Sequence, residues 1–227
     1  MSAPRRQQLV WLNADAWQSV TTRPPATTAW DACALECLEY WAQSDLPLVV
    51  TRQPVRRSAR HADETLTLGL PAPVQWDRRR LFVEVPAGAV RRIGSFPSAE
   101  AIAEQLPAGV QGNWRILCRA LQLLQVAAQV YGSYGWQWLT GLPYRHEQSD
   151  IDLLIVLDNA RQADAATELL QSASDIAPRI DGELVFNDGA AVPWREWAAW
   201  RAGRIGRVLV KRQHAAALED PRSWAVA

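Results

Sequence analysis

The feature that most constrains this chain is a pair of carboxylates at the head of an apolar run. Asp150-Ile151-Asp152 leads directly into Leu153-Leu154-Ile155-Val156-Leu157. Five consecutive apolar residues, several of them branched, read as a buried strand. An Asp-x-Asp step at its start puts both carboxylates on one face, about 7 Å apart at Cα. Hard oxygen donors so placed suit a divalent cation that keeps its waters and grips phosphates. Upstream, after an apolar segment, stands Gly132-Ser133. A small turn of this kind lets backbone amides approach a polyphosphate, because glycine has no Cβ. Alone, a Gly-Ser pair marks a turn and an Asp-x-Asp marks a solvated strand end. Together, a phosphate cradle followed by paired acids is the equipment of nucleotidyl transfer.

Composition narrows the partners. The formal net charge of the 227 residues is zero, with 24 basic and 24 acidic side chains, which argues against a broad nucleic-acid surface. An apolar fraction of 48% marks a globular chain long enough to bury a substantial core in one or two domains. Cys33, Cys37 and Cys118 make an odd set without the further ligands a zinc site needs, and read as reduced thiols. The opening MSAPRRQQLVWL lacks an apolar signal core, and no stretch approaches the roughly 20 apolar residues of a membrane helix. A cytoplasmic protein without membrane attachment is the expectation.

Along the chain, residues 8–12 suggest a strand and 27–41 a helix, capped by Thr28 or Asp31 and apolar at Trp30, Ala34, Cys37, Leu38 and Trp41. Strands follow at 48–53, 65–70 and 81–85. Between them lies a basic stretch with Arg56, Arg57, Arg60 and His61, either an exposed loop or a phosphate contact. A short helix is expected at 99–105 and a long buried one over 113–130. Residues 163–176 form a further helix ended by Pro178, 179–186 a strand, and Asn187-Asp188-Gly189 a hairpin turn. Pro193 opens a tryptophan-rich helix to Trp200, and a last strand over 208–210 runs into Lys211, the only lysine. The pattern predicts an α+β protein. A small α+β accessory or substrate-binding domain over 1–92 precedes a catalytic domain over 93–227, with a mixed sheet flanked by helices.

Gly-Ser followed by Ser149-Asp150-Ile151-Asp152-Leu153-Leu154 and a hydrophobic strand resembles the nucleotidyltransferase superfamily of the polymerase-beta type. The gap between Ser133 and Asp150 is longer than in most members and is filled by Trp136, Trp138 and Leu142-Pro143-Tyr144. A longer set of motifs is more specific. Residues 132–144, the Ser149–Leu154 block, Asp181-Gly182-Glu183 and Val192-Pro193-Trp194-Arg195-Glu196-Trp197 look like the phosphoribosyl-dephospho-CoA transferases that mature malonate decarboxylase. The early Leu-Val-Trp-Leu, the strand from Pro47 to Arg52 and Gly69-Leu70-Pro71 are similar too, although Thr51 stands where a second arginine is expected.

That resemblance implies a reaction. The donor would be triphosphoribosyl-dephospho-CoA and the acceptor a serine of the apo acyl-carrier subunit of malonate decarboxylase, with pyrophosphate leaving. Magnesium would be the cofactor, held by Asp150, Asp152 and a third carboxylate. Asp181 is favoured over Glu183 for its shorter side chain and its Arg-Ile-Asp context, since the two lie two apart and alternation alone cannot choose between them. Arg179, on the same face, can pair with Asp181, and Gly182 would let substrate approach between the acids. Gly132 and Ser133 would hold the leaving phosphates. Arg52, Arg80 and Lys211 are the expected substrate contacts. Two other functions fit the same residues: a nucleotidyltransferase with a different small-molecule or protein acceptor, and an inactive interaction module of this fold.

Overall fold

The computed structural model of the chain describes residues 4–22, 30–55 and 65–225. Arg56, Arg57, Arg60, His61 and the alternative helix cap Thr28 lie outside the described residues. The chain divides into two compact units, Met1–Ser95 and Phe96–Ala227.

The first unit is a five-stranded antiparallel sheet with two helices. Its elements are β1 (Leu9–Leu12), α1 (Ala14–Thr22), α2 (Ala32–Gln43), β2 (Leu48–Val50), β3 (Thr65–Pro71), β4 (Arg80–Pro86) and β5 (Val90–Gly94), and the strand order is β4-β3-β2-β1-β5. Asp31 caps α2 by accepting from the Ala34 amide at 2.9 Å, which fixes the helix start. Strand β4 alternates strictly, with Leu81, Val83 and Val85 buried while Arg80, Phe82 and Glu84 face out. That is the period-two signature of a half-solvated strand.

The second unit carries a six-stranded mixed sheet. It comprises α3 (Ala108–Leu123), β6 (Ala127–Tyr131), α4 (Gly132–Thr140), β7 (Ile151–Leu157), α5 (Ala160–Ser172), β8 (Ile180–Phe186), β9 (Ala191–Pro193), α6 (Trp194–Arg201), β10 (Val208–Lys211) and β11 (Ala216–Glu219). The order is β11-β10-β9-β8-β7-β6, and only β7 and β8 run parallel, joined through α5. One face of this sheet is apolar. Ile151, Leu153, Ile155 and Leu157 of β7 and Ile180, Leu184 and Phe186 of β8 join Trp114 and Leu121 of α3, Leu170 of α5 and Trp197 of α6 in one buried cluster. Alternation then sends Asp152, Asp181 and Glu183 to the opposite face.

The expected helix over 113–130 is two elements. Helix α3 stops at Leu123, Gln125 takes a left-handed conformation (φ 57°), and residues 127–131 pair with β7 as an antiparallel strand. The run Leu-Leu-Gln-Val-Ala-Ala-Gln-Val is apolar enough to be buried either way. Pairing with β7, which a local pattern does not contain, decides for strand. Gly132-Ser133 therefore does not follow a helix: it closes β6 and opens α4, which fills the long interval before Asp150. Trp138 is exposed, with its indole donating to the Ala101 carbonyl, but Trp136 and Tyr144 are packing. Trp136 stacks on Tyr144 (centroids 6.2 Å apart) and meets Phe96 edge-on at 5.5 Å.

Candidate active site

The sheet brings three strand ends side by side. In register, Tyr131 of β6 lies opposite Asp152 of β7, and Asp152 lies beside Asp181 of β8. Neighbouring strands are about 4.8 Å apart, so the two aspartates project together from the same edge of the open face. Asp150, two residues before Asp152, joins them from the segment entering β7. Gly132, at the turn between β6 and α4, packs directly against this group. Its φ is +60°, and a Cβ added there would stand 1.9 Å from Asp152 Oδ2. Only glycine permits both the conformation and the approach. The first-turn amides of α4, from Gly132 and Ser133 onward, have no partners within the helix and present partial positive charge beside the acids.

The electrostatics are unbalanced at Asp152. It accepts no hydrogen bond among the described residues. Burial, and after it the charges of Asp181, Asp150 and Glu183, push its carboxyl up to about 6, with Arg179 opposing them. A carboxylate crowded by three like charges is a site short of a cation.

Arg179 supplies part of that charge. Its Nη2 and Nε donate to Asp150 Oδ2 at 2.5 and 3.1 Å, and Nη2 reaches Asp181 Oδ2 at 3.4 Å. The expected pairing with Asp181 is thus the longer of two contacts, and Asp150 is the principal partner. The guanidinium stands between the two acids. Among the described residues, no three His, Cys, Asp or Glu side chains converge to hold a metal ion as they stand. The donor chemistry nevertheless suits a hard divalent ion: three carboxylates on adjacent strand ends, one without a hydrogen-bonding partner.

Glu183 is placed differently. It is 4% exposed and accepts from Lys211 Nζ at 2.7 Å, while Asp181 keeps about a third of its side chain in solvent. Lys211, expected as a substrate contact, is held by this ion pair. Gly182 does not open a path between the acids. An added Cβ there would lie 1.9 Å from the Leu153 carbonyl, so the missing side chain serves close packing of β8 on β7.

Arg52 and Arg80 are both exposed, on the first unit. They do not form one patch. Arg80 lies opposite Pro71 at one end of β3, whereas Thr51 and Gln53, which flank Arg52, bond Thr67. Four residues of strand, roughly 13 Å, separate these positions. Arg80 also lines a groove of about 1020 Å³ with Arg79, Phe82, Glu84 and Trp30.

Pattern alone did not reveal what the Trp194-Arg195-Glu196-Trp197 motif does. Trp194 and Trp197 are buried, and the Trp197 indole donates to Asp164 at 2.9 Å. Glu196 accepts the Leu209 amide at 2.6 Å, tying α6 to β10. Arg195 Nη2 donates to the Ile180 carbonyl at 2.9 Å, one residue before Asp181, and its guanidinium lies over the Trp194 ring. The motif braces the strand end that carries Asp181. Its density of charged and aromatic residues on one short helix was the available signal.

Comparison with known proteins bears on the whole chain. Residues 97–222 match the family model described as Phosphoribosyl-dephospho-CoA transferase MdcG C-terminal domain, and residues 5–96 match that of the N-terminal domain. A phosphoribosyl-dephospho-CoA transferase of Xanthomonas campestris pv. campestris is 35% identical over 219 residues, covering 94% of this chain and 92% of its own. One from Xanthomonas euvesicatoria pv. vesicatoria is 35% identical over 195 residues, 85% of each chain. One from Bradyrhizobium diazoefficiens is 31% identical over 197 residues, 85% of this chain and 81% of its own. No solved structure is significantly similar.

Proposed function

The chain belongs to the phosphoribosyl-dephospho-CoA transferase family, and on that premise we propose that it moves this group from triphosphoribosyl-dephospho-CoA to a serine of the apo acyl-carrier subunit of malonate decarboxylase, releasing pyrophosphate. The observation that carries the reading is the juxtaposition of a phosphate-type turn with a cluster of acids, of which Asp152 accepts no hydrogen bond among the described residues. Gly132 packs against Asp152, and Asp152 stands beside Asp181 with its proton affinity raised by burial and then by its acidic neighbours.

Each residue then has a task. The amides of Gly132 and Ser133, at the start of α4, hold the phosphates that leave as pyrophosphate. Asp150, Asp152 and Asp181 hold magnesium, as in enzymes of the polymerase-beta type. When bound, that ion supplies charge neutralisation at the phosphates and acidifies the attacking hydroxyl. Asp181, partly exposed at the strand end, is the third ligand and a nearby proton acceptor for the serine. Glu183, buried against Lys211 on the same face of the sheet, ties β8 to β10. Arg195 steadies the backbone before Asp181. Arg52 and Arg80 attract the polyphosphate donor or an acidic carrier at two separate points. The chemistry asked of the protein is positioning and electrostatics, with serine oxygen attacking the α-phosphorus as pyrophosphate departs.

The test is the intact mass of purified apo carrier after incubation with the enzyme, magnesium and the dephospho-CoA donor. A mass increase equal to the phosphoribosyl-dephospho-CoA group, on the carrier serine, supports the reading. Modification only when ATP replaces the donor would assign a different nucleotidyl transfer. No modification with either would leave an interaction module.

A further inference from the structure

Arg179 is the cation that pairs with Asp150 and Asp181, and its position bears on how the site works. Its Nε and Nη2 grip a single oxygen of Asp150, at 3.1 and 2.5 Å, and Nη2 also reaches Asp181 at 3.4 Å. Asp152, two residues after Asp150 and beside Asp181 in the register of the sheet, has no such partner. The guanidinium therefore pairs directly with Asp150 and Asp181 and reaches Asp152 only through its field. More than half of the Arg179 side chain is exposed (59%), so it can leave Asp150 without opening the core. By contrast, the pair Lys211–Glu183 is fixed by a glutamate that is 4% exposed.

We infer that Arg179 occupies the acidic site in the empty enzyme as a stand-in for the divalent cation, and that cation binding proceeds by exchange: Asp150 releases the guanidinium to become a metal ligand. The inference rests on the metal-binding reading of Asp150, Asp152 and Asp181. It adds that metal affinity is set by competition with a residue of the chain itself. The exchange raises the positive charge at the acids, because a dication takes the place at Asp150 that a singly charged guanidinium leaves while the guanidinium stays nearby. The released guanidinium, on a side chain anchored one residue before β8, remains beside the site as a donor with planar, paired N–H groups suited to phosphate oxygens. A site built this way resists idle metal loading and becomes complete when cation and polyphosphate arrive together.

The exchange makes a prediction that simple charge removal does not. The probe is Mn²⁺ binding to the full chain without donor, read by electron paramagnetic resonance and by calorimetry. Arg179→Gln removes the competitor and should bind Mn²⁺ about fivefold or more tighter than wild type. Arg179→Lys keeps the positive charge but cannot offer two geometrically fixed N–H groups to one carboxylate oxygen. Under exchange it too should bind Mn²⁺ tighter than wild type, about two- to threefold.

A rise for Arg179→Gln with wild-type affinity for Arg179→Lys would mean that charge alone acts, and would overturn the exchange. Wild-type affinity in both variants would overturn it as well. Asp152→Asn separates this from failure of the underlying reading. If that variant binds Mn²⁺ as wild type does, the cation lies elsewhere and both ideas fall. If it loses binding while the arginine variants are unchanged, only the exchange is lost. A second readout is pyrophosphate affinity of the Mn²⁺-loaded protein, which should drop in Arg179→Gln. Unchanged affinity there would show that the released guanidinium does not take up phosphate.

Discussion

Replacing Asp152 by Asn should make the empty protein more stable while abolishing transfer. In the folded chain the Asp152 carboxyl is pushed from the ordinary range up to about 6, by burial first and then by Asp181, Asp150 and Glu183. The folded state thus holds a proton more tightly than the unfolded one, and the ionised form is the costly one. A displacement of about two pH units at 1.36 kcal/mol each corresponds to about 3 kcal/mol, fully expressed only above the folded pKa. The side chain keeps some exposure, so solvent screening brings the expected value to about 1–3 kcal/mol.

Asn is isosteric and neutral, and removes this penalty. At pH 8 the variant should unfold at higher urea, with a thermal midpoint raised by a few degrees. As pH falls from about 6 towards 4, wild-type Asp152 takes up its proton and the advantage should shrink to nothing. The assay is urea unfolding in the presence of a chelator at pH 8, 6 and 4.5, beside the carrier mass-shift assay. A variant no more stable than wild type at pH 8, or an advantage that does not decline on acidification, would refute the electrostatic account of this site. Added magnesium should stabilise wild type and leave the variant unmoved.

Asp181→Asn should nearly abolish transfer, whereas Glu183→Gln should cost less, both compared as folded proteins in single-turnover assays; the reverse ranking would move the third ligand to Glu183. Lys211→Met should destabilise more than Glu183→Gln, by about 2–3 kcal/mol in urea unfolding, because it strands a buried carboxylate rather than an exposed ammonium. Gly132→Ala should lose about 1–2 kcal/mol from its positive φ. It should also lower transfer at least tenfold, since the new methyl displaces the Asp152 carboxylate; wild-type turnover would show that Asp152 tolerates movement. Arg52→Ala and Arg80→Ala should weaken donor or carrier affinity independently, with additive effects in the double variant, because the two side chains share no patch; no effect of either would remove the first unit's arginines from substrate binding.

The sequence by itself carried the elements whose pattern is local. The strict alternation of residues 80–86, the apolar run after Asp152 and the turn at Asn187-Asp188-Gly189 each depend on neighbours a few residues away, and each is present; of the two cap candidates, Thr28 and Asp31, the structure shows Asp31 capping the helix. The same locality made Asp150 and Asp152 candidates, since a period-two pair on one strand needs no other element to share a face.

What the sequence did not decide was everything that depends on strand pairing. Residues 127–131 are as apolar as the helix before them, and only the ladder to β7 makes them a strand. Short strands such as Ala191–Pro193 and Ala216–Glu219 are held by their partners rather than by their own propensity. Two choices at the site are of the same kind. Asp181 and Glu183 lie on one face of one strand, and alternation treats them alike. Tertiary structure separates them, because the register of β8 on β7 sets Asp181 beside Asp152, while β10 delivers Lys211 to Glu183. Arg179 likewise reads as a partner of the acid two residues away, yet its shorter contacts are to Asp150, 29 residues back in the chain. Local spacing determines which face a side chain joins, and only the fold determines which distant charges meet it there.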